Sequence, residues 1–374
     1  MIPIGEMITD LKNHKVQSII NFIGLFLGMI VIVIVTLVSN LVYQDTVAKS
    51  EQKNGFKTTV QSGVSGDIIA AIGYREIHEV LDKDIIARGA QYYFAAETTA
   101  SVVKENVNSS EPVSTMIYAG NIDKVRRLPL ISGQWFDETS NNPLNSIVVN
   151  DAAAKVYGQT SKKIDVRIND MYSPLNLTVL GVAKDGESAP RLYIPIRTLE
   201  ILNSGTLPSG APYQLSIHGD NANASSLVEL GRNALHDIGV QESEMQLQRV
   251  DQIDETFDGL SGTITAFYWL SILVFIISGF SILNAGLIAT RNKQKEFALR
   301  RSVGASRMFI FALALGSCVM LVIFAIILTI AATCIITTLI PQFILGPNSL
   351  ITSVAFPASA IFGGATISLL VSII

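Results

Sequence analysis

The segment from Arg291 to Arg307 concentrates charge in an otherwise apolar part of the chain. It has six basic residues and one acid, Glu296. Apolar residues are interspersed with these charges, at Phe297, Leu299 and Val303. The mixture predicts a short surface helix followed by a turn at Gly304, and such a helix suits docking onto a protein partner. The alternative is a loop whose positive charge serves only membrane topology, and charge alone favours that alternative.

Residues that could carry enzyme chemistry form no recognisable site. The four histidines are dispersed without an H-E-x-x-H motif or metal-ligand spacing, at His14, His78, His218 and His236. We expect each of them to be a surface or hydrogen-bonded residue. No G-x-S-x-G turn and no G-x-x-x-x-G-K-[ST] phosphate loop occurs, so the sequence predicts neither a hydrolase nor an ATPase. We therefore assign no catalytic residue and no metal ligand.

Two further classes of function lack support in the sequence. Nucleic-acid binding is not indicated, because no basic patch with interleaved aromatic residues is present. The two cysteines, Cys318 and Cys334, lie in an apolar stretch and are expected to be small core residues. The region between the first two apolar stretches has no cysteine, so we expect no disulfide framework there.

Long stretches without charge must position the Arg291–Arg307 segment. Only 16% of the residues are charged, against about a quarter in a soluble domain. Charge is absent between Lys15 and Asp45, between Asp258 and Arg291, and after Arg307. Each stretch exceeds the roughly 20 residues that cross a bilayer. We predict four transmembrane helices, over residues 17–43, 263–290, 308–340 and 351–374.

The first apolar run is predicted to be an anchor. A signal peptide has an apolar core of about 7–15 residues followed by a small-residue cleavage site, and this run is much longer and lacks such a site. Residues 1–16 are predicted to form an amphipathic helix at the cytoplasmic interface, with a plain extension of the first span as the alternative. Gly24 and Gly28 place two small residues on one helical face, a spacing that either serves close helix packing or is incidental.

Lysine and arginine determine the predicted orientation. Short loops rich in these residues stay in the cytoplasm, so we place residues 291–307 inside and the uncharged loop 341–350 outside. The N-terminus is then cytoplasmic, and residues 44–262 are extracytoplasmic. The excess of acids in that region agrees with this side. The predicted location is the bacterial plasma membrane, with several spans in contact with lipid.

Residues 44–262 are numerous enough for a domain with its own core. Segments rich in β-branched and aromatic residues predict strands at 146–150, 164–168, 175–182 and 213–217. Helices are predicted over 74–87 and 224–238, with a short one that starts after Asn150 or Asp151 and ends at Gly158. Tyr92-Tyr93-Phe94 is interpreted as strand or core, with a ligand site as the alternative. The mixture predicts a two-lobed α/β or α+β domain.

The charged loop resembles the corresponding loop of the MacB/FtsX family of ABC transporter permeases. Its sequence is Lys295-Glu296-x-Ala298-Leu299-Arg300-Arg301-x-Val303-Gly304-Ala305, and the family has E-x-G/A-I/L-R-x-x-x-G-A between the second and third spans. Five further stretches are similar to the family in order and spacing, at 11–28, 128–136, 145–154, 179–182 and 192–195. The resemblance therefore covers nearly the whole chain. Family members usually continue in a short basic tail, whereas this sequence stops at Ile374, so the tail is either absent or truncated.

The resemblance implies that this loop is the coupling element that sits on an ATPase. The residues assigned to coupling are Lys295, Glu296, Phe297, Leu299, Arg300, Arg301, Gly304 and Ala305. Helix packing or a dimer contact is assigned to Gly24 and Gly28. The implied assembly is a homodimer with two copies of a separate ABC ATPase that binds ATP and Mg²⁺, while this chain needs no cofactor. An extracytoplasmic adaptor is a further partner that the resemblance allows.

The implied function is mechanotransmission. Closure of the ATPases would move the coupling loop, and the first two spans would carry that motion to the exported domain. The exported domain would then extrude a hydrophobic or amphipathic substrate such as a peptide, antimicrobial, lipid or haem. The spans lack the charged residues that an aqueous path usually needs. Two alternatives stay open. FtsX-like members regulate extracellular cell-wall hydrolases, with a usually smaller exported domain, and a receptor would need a signalling domain where only the short loop follows.

Overall fold

The computed structural model describes residues 15–103, 112–136, 143–168, 174–202, 212–220 and 223–250, and parts of 261–366. The predicted interfacial helix lies almost entirely outside the described residues, as does much of the predicted second span. The chain divides into two compact units. The helical unit comprises Met1–Gln44, Phe257–Pro347 and Ile351–Ile374. The sheet unit comprises Asp45–Thr256 and Asn348–Leu350.

Helices occur in both units. Those whose bounds lie within the described residues are α1 (Lys15–Asn54), α2 (Gly66–Ile72), α3 (Tyr74–Asp84), α4 (Ile122–Val125), α5 (Asp151–Tyr157), α6 (Ile196–Leu202), α7 (Ala224–Asp237) and α8 (Arg307–Ile344). Short 3-10 helices cover Ile86–Arg88 and Glu242–Glu244.

All strands belong to the sheet unit. In the described part of the chain they are β1 (Val60–Val64), β2 (Gln91–Val103), β3 (Pro112–Gly120), β4 (Leu130–Gly133), β5 (Ser146–Asn150), β6 (Lys163–Ile168), β7 (Leu175–Ala183), β8 (Arg191–Pro195), β9 (Tyr213–His218) and β10 (Gln248–Arg249). They form one sheet in the order β10-β1-β9-β2-β3-β8-β5-β7-β4, and β6 pairs with both β2 and β7.

Two of the described helices are long and apolar enough to cross a membrane. They are the segment Ser18–Asn54, in which an apolar stretch of 18 residues has a mean hydropathy of 2.9, and Val319–Leu339, in which the corresponding value is 3.0. A shorter apolar helix, Thr265–Val274, falls within the predicted second span. Several residues between 358 and 366 in the predicted fourth span are helical. The count of four spans and their orientation stay predictions.

Buried side chains join the helices of the helical unit. One cluster consists of Leu25, Met29, Val322 and Ala325, and another of Val33, Leu37 and Ile361. Other faces of the same helices are open, with Leu27 exposed at 50% and Ile327 at 58%. A helix that is apolar on its exposed faces as well as on its packed face is typical of a membrane span.

Both long helices extend beyond their predicted ends. α1 continues past residue 43 to Asn54 because hydropathy marks the end of an apolar run, whereas the polar residues that follow still favour a helix. An ion pair of 2.6 Å between Lys49 Nζ and Asp45 Oδ2 supports this extension. α8 continues past residue 340 to Ile344. Pro341 lies within its last turn and removes one i→i−4 hydrogen bond there, close to the end of the helix.

The sheet unit contains a closed circuit of hydrogen-bonded strands. The pairings run β2-β3-β8-β5-β7-β6 and return to β2. β2 makes this possible because its first half pairs with β9 and its second half with β6, on the same edge. The circuit and the β10-β1-β9 arm therefore share one long strand, β2, and the division into two lobes stays a prediction.

The two faces of the sheet have different cores. Tyr92 and Phe94 point into the larger core, which the buried faces of α3, α5, α6 and α7 complete. Tyr93 and Ala95 point to the opposite face, together with Tyr118 and other buried residues. This alternation is the period of two that a strand imposes on its side chains. It confirms that Tyr92-Tyr93-Phe94 is strand and core.

Most predicted elements of the sheet unit are confirmed. β5, β6, β7 and β9 lie where strands were expected, and α3 and α7 where helices were. The short helix after Asn150 is α5, because the Asn150 side chain accepts a hydrogen bond of 2.8 Å from the Ala153 amide. Gly158 follows α5 with a φ of 126°, so that the chain leaves the helix there.

Candidate functional site

The loop before α8 contains the predicted helix and turn. Residues 297–302 are helical, and Gly304 has a φ of 99°, in the region that favours glycine. The Gly304 amide donates to the Arg301 carbonyl and the Ala305 amide to the Arg300 carbonyl, both at 3.0 Å. This pair of bonds is a Schellman motif, which pairs the otherwise open carbonyls of a helix end.

α8 starts immediately after this turn. The Phe309 amide donates to the Ser306 hydroxyl at 3.1 Å, which is the hydrogen bond of a serine N-cap. Between the last helical residue, Ser302, and this cap lie only residues 303–305. The helix end and α8 are thus joined by a short connection with hydrogen bonds on both sides, which limits independent movement.

Apolar side chains of this connection face outward. Leu299 is 69% exposed, Val303 82% and Met308 76%. They lie among basic residues, of which Arg301 is exposed and Arg300 half-buried. Exposed apolar side chains rimmed by charge are typical of a protein contact surface. We call residues 297–308 the coupling surface.

The structure places most of the other residues assigned to coupling. Lys295 is helical and exposed. Phe297 is helical and half-buried, and Ala305 after the turn is also half-buried. Glu296 lies outside the described residues. The role of these residues in coupling stays a prediction.

Gly24 and Gly28 lie on α1, where Gly28 is buried and Gly24 half-buried. Their neighbours Leu25 and Met29 belong to the cluster that packs on α8. The small residues therefore lie beside a helix contact within the chain. A contact between two copies of the chain stays a prediction.

A polar network that the sequence did not predict lies inside the sheet unit. The Asp185 side chain is fully buried, and its carboxylate accepts hydrogen bonds from Asn150 Nδ2 at 3.1 and 3.2 Å, Tyr193 Oη at 2.9 Å and the Glu187 amide at 3.0 Å. Asn150 also donates to the Ala189 carbonyl at 2.8 Å. We call Asp185, Asn150 and Tyr193 the buried node, because it joins the ends of β5 and β7 to β8.

Burial dominates the electrostatics of the buried node. It raises the pKa of the Asp185 carboxyl, although the Glu187 amide, Asn150, Tyr193 and the charge of Arg191 act in the opposite direction. Burial and the nearby Asp185 charge also raise the pKa of Tyr193 well above its ordinary value. The phenol therefore stays protonated and acts as a donor. A buried carboxylate with this many donors is a structural anchor.

Only one feature of the sequence hints at the buried node. Asp185 follows an apolar strand and precedes a glycine, which is the pattern of an ordinary turn. Its partners Asn150 and Tyr193 come from other strands, so no local spacing connects them. The described residues contain no group of three or more His, Cys, Asp or Glu side chains that could hold a metal ion.

The histidines were expected to be surface or hydrogen-bonded residues. His78 Nδ1 lies 2.8 Å from Tyr92 Oη, His218 Nε2 lies 3.1 Å from Asp220 Oδ1, and His236 is exposed. These three agree with the expectation. His14 lies outside the described residues.

Two family models match the chain. The model of the MacB-like periplasmic core domain matches residues 18–225, and that of the FtsX-like permease C-terminal region matches residues 268–374. The first covers more than half of the sequence. The boundary between the two matches falls near the residues that lead from the sheet unit back into the helical unit.

Curated relatives and solved structures are similar to the same regions. The macrolide export ATP-binding/permease protein MacB of Aggregatibacter actinomycetemcomitans is 22% identical over 319 residues, which cover 80% of this chain and 47% of that protein. MacB of Neisseria gonorrhoeae is 22% identical over 316 residues, which cover 79% and 46%. The chain thus spans about half the length of the curated relatives it matches.

Among solved structures, the periplasmic region of MacB from Actinobacillus actinomycetemcomitans is 17% identical with a TM-score of 0.38, and the match covers 54% of this chain and 93% of that one. The extracellular domain of the transporter YknZ from Gram-positive bacteria is 15% identical with a TM-score of 0.35, and the match covers 50% and 99%.

Proposed function

Since this chain belongs to the MacB/FtsX family of ABC transporter permeases, we propose that it is the permease subunit of an ATP-driven exporter. Members of this family are membrane-embedded and work with ABC ATPases. In this proposal the chain forms a homodimer, binds two copies of a separate ATPase that holds ATP and Mg²⁺, and contributes no catalytic residue.

The observation that carries the proposal is the coupling surface. Leu299, Val303 and Met308 expose apolar area where a helix end is followed, after the short connection 303–305, by the cap of α8. Such area is stabilised when a partner removes it from water, at about 25 cal/mol per Å². The Schellman motif and the Ser306 cap would pass a push on this surface directly to α8.

The proposed mechanism is mechanotransmission. ATPase closure would displace the coupling surface and the spans attached to it. α1 is one continuous helix from Lys15 to Asn54 and would carry displacement out of the membrane without an intervening loop. We propose that the sheet unit then moves a hydrophobic or amphipathic substrate on the extracytoplasmic side. That side, the four spans and the cytoplasmic N-terminus are parts of the proposal.

A co-purification experiment tests the proposal. The tagged full-length chain is extracted in mild detergent, and a P-loop ATPase is sought among the proteins that remain bound. The double variant Leu299→Asp/Val303→Asp should lose that ATPase. The control is Ile131→Asp, which alters an apolar side chain of similar exposure, 58%, in the sheet unit. It should retain the ATPase.

Two results would contradict parts of the proposal. If the ATPase stays bound to the loop variant, the coupling surface is not the docking site. If the native chain retains no ATPase, the exporter proposal fails. Recovery of a cell-wall hydrolase in its place would then favour the regulatory role of FtsX-like members.

A further inference from the structure

The outer end of α1, residues 45–54, belongs to the sheet unit and is bonded there to the segment between α4 and β4. Arg127 Nη1 lies 2.7 Å from Glu51 Oε2, and the Arg127 amide donates to the Glu51 carbonyl at 3.2 Å. The Glu51 side chain is only 17% exposed and that of Arg127 44%. Glu51 on α1 therefore binds both the side chain and the backbone amide of Arg127, which lies in the segment that connects α4 to β4.

A second contact lies one residue further along α1. Gln52 Nε2 donates to the backbone carbonyl of Asp185, which is 133 positions away in the sequence. The two attachment points are also joined to each other, because the Lys184 amide donates to the Pro129 carbonyl at 2.8 Å. Glu51, Arg127, Gln52 and Asp185 thus form one connected group, which we call the outer clamp.

The chain connection after Asn54 is a turn with a backbone contact of its own, in which the Phe56 amide donates to the Val125 carbonyl at 2.9 Å. After Asn54 the chain turns through Gly55, with a φ of 98°, and Thr58, with a φ of 68°. A turn of this kind can absorb a change in helix direction, as hinge residues do. Contacts on the side of the helix remove that freedom, because they fix its orientation as well as its end point.

The outer clamp is connected through Asp185 to the hydrogen bonds of the buried node. The backbone carbonyl of Asp185 accepts the hydrogen bond from Gln52, and its carboxylate accepts hydrogen bonds from Asn150 and Tyr193. Asn150 in turn caps α5 through the Ala153 amide. A displacement of Gln52 would therefore act on the ends of β5 and β7, on β8 and on α5 together.

We propose that the outer clamp is the point at which displacement of α1 is transmitted to the sheet unit, with Glu51, Arg127 and Gln52 as positioning residues. This inference rests on the proposed function, since it needs ATP-driven movement of α1. It adds that the contacts of Glu51 and Gln52 on the side of α1, and not the chain connection through Gly55 alone, make the rest of the sheet unit follow the helix.

Hydrogen–deuterium exchange on the assembled complex tests the inference. The full-length chain with its ATPase is reconstituted in lipid nanodiscs, and exchange is compared with and without ATP and vanadate. In the native complex, exchange should change at the coupling surface and at residues 146–157 and 184–193. In Arg127→Glu, the change at the coupling surface should persist, while the change at 146–157 and 184–193 should fall by roughly fivefold.

Charge reversal separates transmission from folding. The double variant Glu51→Arg/Arg127→Glu rebuilds the ion pair with exchanged partners, so it should restore most of the response in the sheet unit. Gln52→Met removes the second contact without a change of charge and should reduce the response partly. The matched control is the exchange of Arg75 and Glu79, an exposed ion pair of 3.4 Å on α3, which should leave the response as in the native complex.

The outcomes distinguish the inference from the function on which it rests. If Arg127→Glu leaves the exchange response of the sheet unit unchanged, the outer clamp is not the point of transmission. The same conclusion follows if Glu51→Arg/Arg127→Glu has the melting temperature of the native chain but does not restore the exchange response. A native complex that responds at the coupling surface but not in the sheet unit would also overturn it. If nucleotide changes nothing even at the coupling surface, the proposed function fails and the inference fails with it.

Discussion

The buried node allows a prediction whose size follows from the structure. Asn150→Asp keeps the shape of the side chain and the oxygen that caps α5, but it replaces the amide that donates to Asp185 by a second carboxyl oxygen. The two atoms concerned are 3.1 Å apart. Two carboxylates at this distance repel by about 5 kcal/mol at an effective dielectric constant near 20.

Uptake of a proton limits that cost. At pH 7, protonating a carboxyl whose ordinary pKa is 3.8 costs about 4 kcal/mol, which is less than the repulsion. The cost falls by about 1.4 kcal/mol for each unit by which the pH is lowered, to roughly 2 kcal/mol at pH 5. The folded state thus holds a proton that the unfolded state releases, so the destabilisation increases as the pH rises and diminishes as it falls.

Thermal unfolding of the full-length chain in detergent checks this prediction. Trp135 is a suitable fluorescent probe because its ring meets Tyr193 edge-on at 5.6 Å. For a unit of this size about 1 kcal/mol corresponds to 2–4 °C, so Asn150→Asp should lower the melting temperature by roughly 8–16 °C at pH 7 and by less than half as much at pH 5.

The chain offers a matched control for the same substitution. Asn176 Nδ2 donates to Asp165 Oδ1 at 2.7 Å, but at an exposed position. Asn176→Asp should therefore change stability by only about 0.5 kcal/mol, because water screens and solvates the new charge. Equal shifts for Asn150→Asp and Asn176→Asp, or a shift for Asn150→Asp that does not shrink at pH 5, would refute the reasoning about the buried node.

Two glycine substitutions give further predictions. A Cβ on Gly133 would lie 2.1 Å from the Leu180 carbonyl oxygen at a φ of 77°, so Gly133→Ala should lower the melting temperature of the sheet unit by an amount equivalent to about 3 kcal/mol or more. Gly89→Ala, with a φ of 82° in the left-handed helical region and open space around the new Cβ, is its control and should cost about 1 kcal/mol. A Cβ on Gly304 would have nothing within 4 Å, so Gly304→Ala should strain the Schellman turn by about 1 kcal/mol. This variant should weaken retention of the ATPase in the co-purification assay and leave the melting temperature of the sheet unit unchanged.

Local patterns in the sequence were enough to predict the elements that local forces determine. β5 and α5 are the clearest case: a run of β-branched residues ends at an asparagine that caps the next helix, and a glycine ends that helix. Hydropathy likewise located the apolar part of α1 but not its end at Asn54, because the outer residues of that helix are polar.

Contacts between distant segments were not predictable in the same way. The closed circuit was not predicted, because nothing in the β2 sequence shows that its two halves pair with different strands on one edge. The outer clamp shows the same limit. Gln52 and Asp185 are ordinary polar residues in their own neighbourhoods, and only the fold brings them together.

The architecture of the sheet unit fits a body that is moved as a whole. A closed circuit of strands cannot slide one strand past its neighbour without breaking pairings elsewhere in the circuit, so it resists shear better than an open sheet of the same size. The buried node adds side-chain bonds between the ends of β5, β7 and β8, where α1 is attached through Gln52. If α1 moves during the ATPase cycle, the outer clamp would then pass that movement to the closed circuit as a whole. Substitutions in the core of the circuit should therefore alter stability, whereas substitutions in the clamp should alter the response to nucleotide.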